Sequence, residues 1–394
     1  MNKKTQSGKS KMRKRIIIIF IVLMNLCLLS SCYVDIDQQI TVSGMAIDVG
    51  HQGKKYHVSV ETVSVSDEKI TTDVIETDGD TVFEALRDLI AISSKKLYFG
   101  HCKVMFLSEE LAKKGIGEVL DLTIRDHEAR IEMDILITKG CDAKDALMTD
   151  GVFSPIVCYK VDELFDTPEK PLGDAPAVHS YKVYNDINSD GVSAVIPTFK
   201  IISVEDKKEL KLCGTGVFKR DKLIGYLDEQ ESRNLSIINN KIKSGLLTYK
   251  AEDETESFIS YEILKNKSKT AIKFDDDNKI RVDVTIKTDV NIGEIDTKAD
   301  FTKSDEVKKI AQNLENKMER DLYKLIDKAQ SELESDIFGI GRQIYRNHPR
   351  LWEEYKEGWD ETFKTVDFNV DCKVTIIGSG TFNKGSLSSH GKGG

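Results

Sequence analysis

Along "TVSGMAIDVGHQGKKYHVSVETVSV", residues 41–65, two extended runs flank a glycine-bearing turn, and Tyr56, Val58 and Val60 alternate with His57 and Ser59. That two-residue period predicts a strand with one buried and one wet face. "DTVFEALRDLIAISSKKL" changes the period: Val82, Leu86, Leu89 and Ile90 share a helical face, and Asp80 is placed to cap its start. A strand is expected in "HCKVMFLS", a helix in "SEELAKKGIGEVLDLTIRD", and another strand where Ile131, Met133, Ile135 and Ile137 alternate. Strand, helix, strand, helix, strand predicts an α/β unit between residues 40 and 140.

From Asp142 to about Lys200 the pattern weakens, and "FDTPEKPLGDAPAVHSYKVYNDINSDG" reads as a connecting segment over the surface. Leu210–Phe218 and Leu223–Leu227 then predict a hairpin around "KRDK", followed by a helix-like stretch. Three strands in succession are expected in "ESFISYEILKN", "KTAIKFDDDNKI" and "IRVDVTIKTDVNI". In the last, Ile280, Val282, Val284 and Ile286 alternate with Arg281, Asp283, Thr285 and Lys287, so one face is buried and one is wet.

The strongest helix runs from about Ser304 to Phe338, with Val307, Ile310, Leu314, Met318, Leu322, Leu325, Ala329 and Leu333 three or four residues apart and Gly339 and Gly341 at its end. Leu351, Tyr355, Trp359 and Phe363, four apart, predict a second amphipathic helix. The alternating run Val366, Phe368, Val370, Cys372, Val374, Ile376 is expected to return to the sheet that holds residues 280–290, and the glycine- and serine-rich end reads as a flexible tail.

The N-terminus is of a different kind. Residues 1–31 carry seven Lys and Arg and no acid, and the apolar run Ile16–Leu29, broken only by Asn25, follows the charges. Fourteen helical residues span about 21 Å, short of the roughly 30 Å hydrocarbon core, so the segment reads as a cleaved signal peptide with a soluble body after it. Leu29-Ser30-Ser31-Cys32 fits a bacterial lipoprotein cleavage site: small residues before the cut, then a cysteine free to take lipid. Cleavage between Ser31 and Cys32 takes the formal charge from -9 to -16, because seven positive charges leave. An acidic body argues against nucleic acid as a partner. Beyond Cys32, the five cysteines Cys102, Cys141, Cys158, Cys213 and Cys372 are widely spaced and read as isolated core residues.

Candidate chemistry is sparse. "GKS" at Gly8–Ser10 lacks the upstream glycine and strand of a phosphate loop. "DHE", Asp126–Glu128, reads as turn and capping residues, and the seven histidines form no HExxH and no pair at helical ligand spacing, so zinc is not expected. "FDDDN", Phe274–Asn278, lacks the glycine and glutamate of a calcium loop and reads as a polar hairpin turn. "GTG", Gly214–Gly216, reads as a strand bulge. Trp352 and Trp359 lie in an apolar helical stripe and read as core. No catalytic residue and no cofactor is expected, and the chain is not read as an enzyme.

Several stretches together resemble the Ger(x)C family, the C-subunit lipoproteins of spore germinant receptors. They are the Cys32 site, "VSGMAIDVG", "LAKKGIGEVLDLTIRDHEARIEMDILITKG", "GTGVFKRDKLIGYLDEQESRNL" and "SDIFGIGRQIYRNHPRLWEEYKEGWDETF" with its closing strand. Two features depart from that family: Tyr33-Val34-Asp35-Ile36-Asp37 stands where a tryptophan and a "DRRE"-like run are usual, and the tail past Ile377 is longer. The resemblance implies an α+β or α/β multidomain chain: three mixed α/β domains, each a central β-sheet with packed helices, behind a lipoprotein signal peptide. The expected division is 1–31 signal peptide, 32–165 N-terminal domain, 166–265 connecting segment and middle domain, 266–380 C-terminal domain, and 381–394 tail. The resemblance also implies N-palmitoyl and S-diacylglycerol groups on Cys32, the outer face of the spore inner membrane, and two integral receptor subunits, of A and B type, as partners. A free-standing solute-binding lipoprotein is the alternative; the proline-containing connection between separate sheets disfavours it.

Overall fold

The computed structural model describes residues 15–21, 39–66, 69–125, 132–150, 154–166, 175, 177–250, 258–275, 279–295 and 304–378. Residues 15–21 are helical. Among the described residues no helix is long and apolar enough to cross a membrane. The strands gather into two sheets with helices packed on them, a mixed α/β architecture.

β1 (Gln39–Val49) and β2 (Tyr56–Ser66) form the expected antiparallel hairpin, and β3 (Lys69–Gly79) pairs along the outer side of β2. Helix α1 (Val82–Ser93) buries Val82, Ala85, Leu86 and Leu89. Its cap is Thr81, whose hydroxyl accepts from the Glu84 N–H at 3.0 Å; the neighbouring Asp80 instead pairs with Lys54 at 2.7 Å. β4 (Lys96–Tyr98) pairs with β1. β5 (Val104–Ser108) and β6 (Asp134–Thr138) run parallel in the sheet's middle, and every residue of both is buried. Strands covered on both faces read as apolar runs, and β6 is therefore less alternating than its sequence suggested. The helical pattern between them breaks at Gly115, φ +132°, into α2 (Glu109–Lys114) and α3 (Gly117–Arg125).

The weak stretch 142–200 is not merely a connection. It carries α4 (Ala143–Leu147), α5 (Val157–Asp166), α6 (Ser180–Ile187) and β7 (Val195–Val204), which pairs with β6. Its helices are short, five to ten residues, and α4 and α6 bury only three and two apolar residues. β8 (Lys207–Lys219) and β9 (Lys222–Leu227) form the predicted hairpin, and they extend the first sheet to the order β3-β2-β1-β5-β6-β7-β8-β9. The expected bulge is present: Cys213 and Gly214 together stand opposite Thr198, between the pairs Pro197–Thr215 and Phe199–Leu212. Gly214 has φ +107°, and an added Cβ would lie 2.1 Å from the Leu227 carbonyl oxygen.

α7 (Glu229–Ile238), opened by a capping box between Asp228 and Glu231, leads to the second sheet, β10-β11-β12-β13. Two strands replace the three expected: β11 (Phe258–Phe274) runs through, bulging at Leu264, because β12 (Ile280–Ile295) pairs with it along its whole length. "FDDDN" falls at their hairpin, where the Asp275 N–H donates to Lys279 O at 3.1 Å and the Asp275 carboxylate accepts from the Lys279 N–H at 2.7 Å; residues 276–278 lie outside the described ones. β10 (Gly245–Lys250) flanks β11, and β13 (Asp367–Gly378) returns to this sheet, as expected, and lies parallel to β12. A parallel return needs a crossover. α8 (Ser304–Asp327), α9 (Ile340–Asn347), α10 (Pro349–Tyr355) and α11 (Trp359–Lys364) supply it.

α8 is shorter than its apolar stripe. A π turn at Lys328–Glu332 and a left-handed Glu334, φ +45°, take the chain out of the helix. The turn brings in Asp336, buried, whose carboxylate accepts from the N–H groups of Ile340 (3.1 Å) and Gly341 (2.9 Å) and from Trp359 Nε1 (3.2 Å). Gly339 consequently heads α9 instead of ending α8. Trp352 and Trp359 are both 4% exposed with ring centroids 5.4 Å apart, the core role expected of them.

Candidate functional site

Ser31 and Cys32 lie outside the described residues, as do Gly8–Ser10, Asp126–Glu128 and the tail 381–394. Cys102, Cys158, Cys213 and Cys372 are buried free thiols, and Cys141 is half-buried. Burial, with the Glu61 carboxylate beside it, pushes the Cys158 thiol far above its ordinary value, so it stays protonated.

Chemistry-bearing side chains instead converge on the polar face of β2. Its alternation set Tyr56, Val58 and Val60 against His57, Ser59 and Glu61, and the structure buries both sets. The second face is not wet because α4 and α5 begin over it. Glu61, 1% exposed, accepts from the N–H groups of Val157 (2.9 Å) and Cys158 (3.1 Å) at the start of α5 and from the Ser43 hydroxyl (2.5 Å). On β1, Asp48 accepts from Ala143 (2.7 Å) and Lys144 (3.0 Å) at the start of α4. Burial pushes the Asp48 carboxyl above its ordinary value, against the pull of those two N–H groups. Each acid answers a helix's orphan donors, so these two anchor the helices to the sheet.

The row continues outward. Asp48, His57 and Asp78 are register neighbours across β1, β2 and β3 and share one face. The turn after β1 folds back so that His51 joins them: the Asp78 Oδ1 lies 3.1 Å from His51 Nδ1 and 3.2 Å from His57 Nδ1, and accepts from the His51 backbone N–H at 2.9 Å. Burial raises the Asp78 carboxyl, but the His51 N–H and the two imidazoles outweigh it and leave it below the usual carboxylate range. One ligand atom from each of these three side chains lies within 4.8 Å of the others. Sequence reasoning missed the cluster because it looked for histidines at helical spacing; here the pair straddles a hairpin turn, six residues apart.

Two family models match in order, the spore germination protein N-terminal domain over residues 33–201 and the spore germination B3/GerAC-like C-terminal domain over 213–380. The chain belongs to the Ger(x)C family of spore germination proteins. The seam between the family's two domain models falls at the β7–β8 hairpin, inside the first sheet. Among relatives, spore germination protein B3 of Bacillus subtilis (strain 168) is 27% identical over 380 residues, 93% of this chain and 98% of that protein. Spore germination protein KC of the same organism is 26% identical over 323 residues, 76% of this chain and 77% of the other. The crystal structure of the GerBC protein has the same fold, with a TM-score of 0.55 and 23% identity, over 85% of this chain and 97% of that one.

Proposed function

We propose that this Ger(x)C chain is the lipid-anchored C subunit of a spore nutrient germinant receptor, acting through protein contacts rather than catalysis. The ordered match of both family domains across residues 33–380 carries this reading. Cys32, after cleavage behind Ser31, takes the S-diacylglycerol and N-palmitoyl groups and holds the body on the outer face of the spore inner membrane. These three acyl chains suffice, since each buried CH₂ contributes about 0.8 kcal/mol. Two integral subunits, of A and B type, are the partners, and nucleic acid is not one.

The polar row supports a non-catalytic role, because Glu61 and Asp48 spend their oxygens on helix starts. A cleft of about 170 Å³ beside Asp190, Arg220, Lys356 and Trp359 is smaller than the roughly 300–1,000 Å³ usual for a small-molecule site. The test is a pull-down of this protein from gently solubilised spore inner membranes, read by mass spectrometry. Two integral membrane proteins in fixed proportion are expected. Recovery of the lipoprotein alone, where other membrane complexes survive, would sink the receptor reading in favour of a free-standing solute-binding lipoprotein. Cys32→Ala is expected to leave the fold intact and weaken retention on the membrane and nutrient germination.

A further inference from the structure

The cluster at the turn end of the β1–β2 hairpin has the composition of a metal centre, although the seven histidines looked unpromising along the chain. Tetrahedral zinc holds nitrogen and oxygen ligands at about 2.0–2.1 Å, which places neighbouring ligand atoms about 3.3–3.4 Å apart. The Asp78 Oδ1 lies 3.1 and 3.2 Å from the two imidazole Nδ1 atoms, close to that spacing before any ion enters. The turn is held ready by short bonds: Gly50 N–H to Lys55 O at 3.1 Å, Lys54 N–H to His51 O at 2.9 Å, and His51 N–H to Asp78 at 2.9 Å.

The far side of His57 decides between ligand and plain hydrogen-bond donor. Its Nε2 is buried with no hydrogen-bond partner, 3.5 Å from the Glu76 carboxylate, which Lys144 approaches at 3.6 Å. If a neutral His57 gives its proton from Nδ1 to Asp78, the Nε2 lone pair faces that carboxylate, two acceptors turned on each other. A cation on Nδ1 reverses the tautomer: Nε2 then carries the proton and donates it to Glu76, the carboxylate–histidine–metal relay seen around zinc. We propose that His51 Nδ1, His57 Nδ1 and Asp78 bind one divalent transition-metal ion of the zinc class, with Glu76 orienting His57 and the fourth position left to water. The ion ties the β1–β2 turn to β3. This site is independent of the receptor reading, which stands or falls on membrane partners.

The test uses the full chain without a polyhistidine tag, purified in detergent and stripped with EDTA, then titrated with Zn²⁺ against a chromogenic chelator and with Co²⁺ by visible spectroscopy. One Zn²⁺ per chain, intense tetrahedral Co²⁺ bands and a melting temperature raised by Zn²⁺ are expected. His51→Ala, in an exposed turn, is expected to melt like the EDTA-treated parent and to bind at least about tenfold more weakly. Asp78→Asn, which preserves side-chain size, is expected to do the same. No stoichiometric Zn²⁺, or equal binding by the parent and both variants, would overturn the site and leave His57 as a hydrogen-bonding partner of Asp78 alone.

Discussion

β12 keeps one face in water, and β2 over residues 56–62 keeps none. In β12, Ile280, Val282, Val284 and Ile286 join the buried cluster that includes α8's apolar stripe, while Arg281 and Lys287 remain exposed. In β2, Val58 and Val60 face one layer, and His57, Ser59 and Glu61 face α4 and α5. The two strands have the same binary pattern, so what separates them is the layer laid on the polar side. Where a helix begins over that side, its unpaired N–H groups need an acceptor, and a buried carboxylate becomes a fastening. The C-terminal region, by contrast, holds its helices mainly with apolar surface; its buried acids are Asp336 and, on α8, Glu315, which accepts from the Val374 N–H of β13 at 2.9 Å.

The largest effect is expected where the apolar fastening is cut. Trp359→Ala removes a ring packed on Trp352 and leaves Asp336 without its indole donor, so about 3–5 kcal/mol should be lost by urea unfolding. An unchanged midpoint would mean the ring is not part of that core. On the polar side, Glu61→Ala strands the donors of Val157, Cys158 and Ser43, and about 2–4 kcal/mol should go, with α5 gaining hydrogen-exchange rate first. If α5 keeps its protection, Glu61 is not what fastens it.

Asp336 sharpens the contrast through pH. Burial raises its carboxyl to about 6 from 3.8, against the donors of Gly341, Ile340 and Gly339 and of Trp359. A group that binds its proton more tightly when folded favours the fold below pH 3.8 and loses that contribution as pH rises through 6. From pH 4 to 7 the stability gap between Asp336→Asn and the parent should therefore move in favour of the variant, by at most about 3 kcal/mol. Parallel pH profiles would show that the carboxyl titrates normally.

The smallest effects test the two strands directly. Ser59→Ala removes a buried hydroxyl that finds no partner and should be neutral or stabilise by up to about 1 kcal/mol. Lys287→Ala, on the wet face of β12, should stay within about 0.5 kcal/mol. A clear loss of stability for Ser59→Ala would mean that its hydroxyl is bonded after all, and the polar face of β2 more completely paired than described.

Elements with long, regular periods were legible. α8 announced its buried stripe, β12 and β13 their alternation, and the β8–β9 hairpin its turn. α4, α5 and α6 were not, because helices of five to ten residues make fewer than three turns, and the two to four apolar residues that each buries are too few to set a period apart from its surroundings. The π turn after Asp327 was also hidden: the apolar stripe continues through Leu333, and only the capture of three donors by Asp336 makes leaving the helix favourable. Of the candidate site, Glu61 and His57 were visible only as polar residues of a half-buried strand. His51 and Asp78 could not be joined to them without knowing that β3 pairs with β2 in the register that sets Asp78 beside His57.

By itself the sequence determined the alternation of faces, the order of the main elements, the core role of both tryptophans and, through its ordered family blocks, membership of the Ger(x)C family. Those properties are local or additive along the chain, so neighbouring residues suffice to state them. Only the tertiary structure decided that β8 and β9 extend the first sheet, that the polar side of β2 is roofed, and that two histidines and an aspartate meet at one hairpin. Each of these depends on strand register and on which helix start lands on which face, and such long-range pairings are set by the packing of the whole sheet.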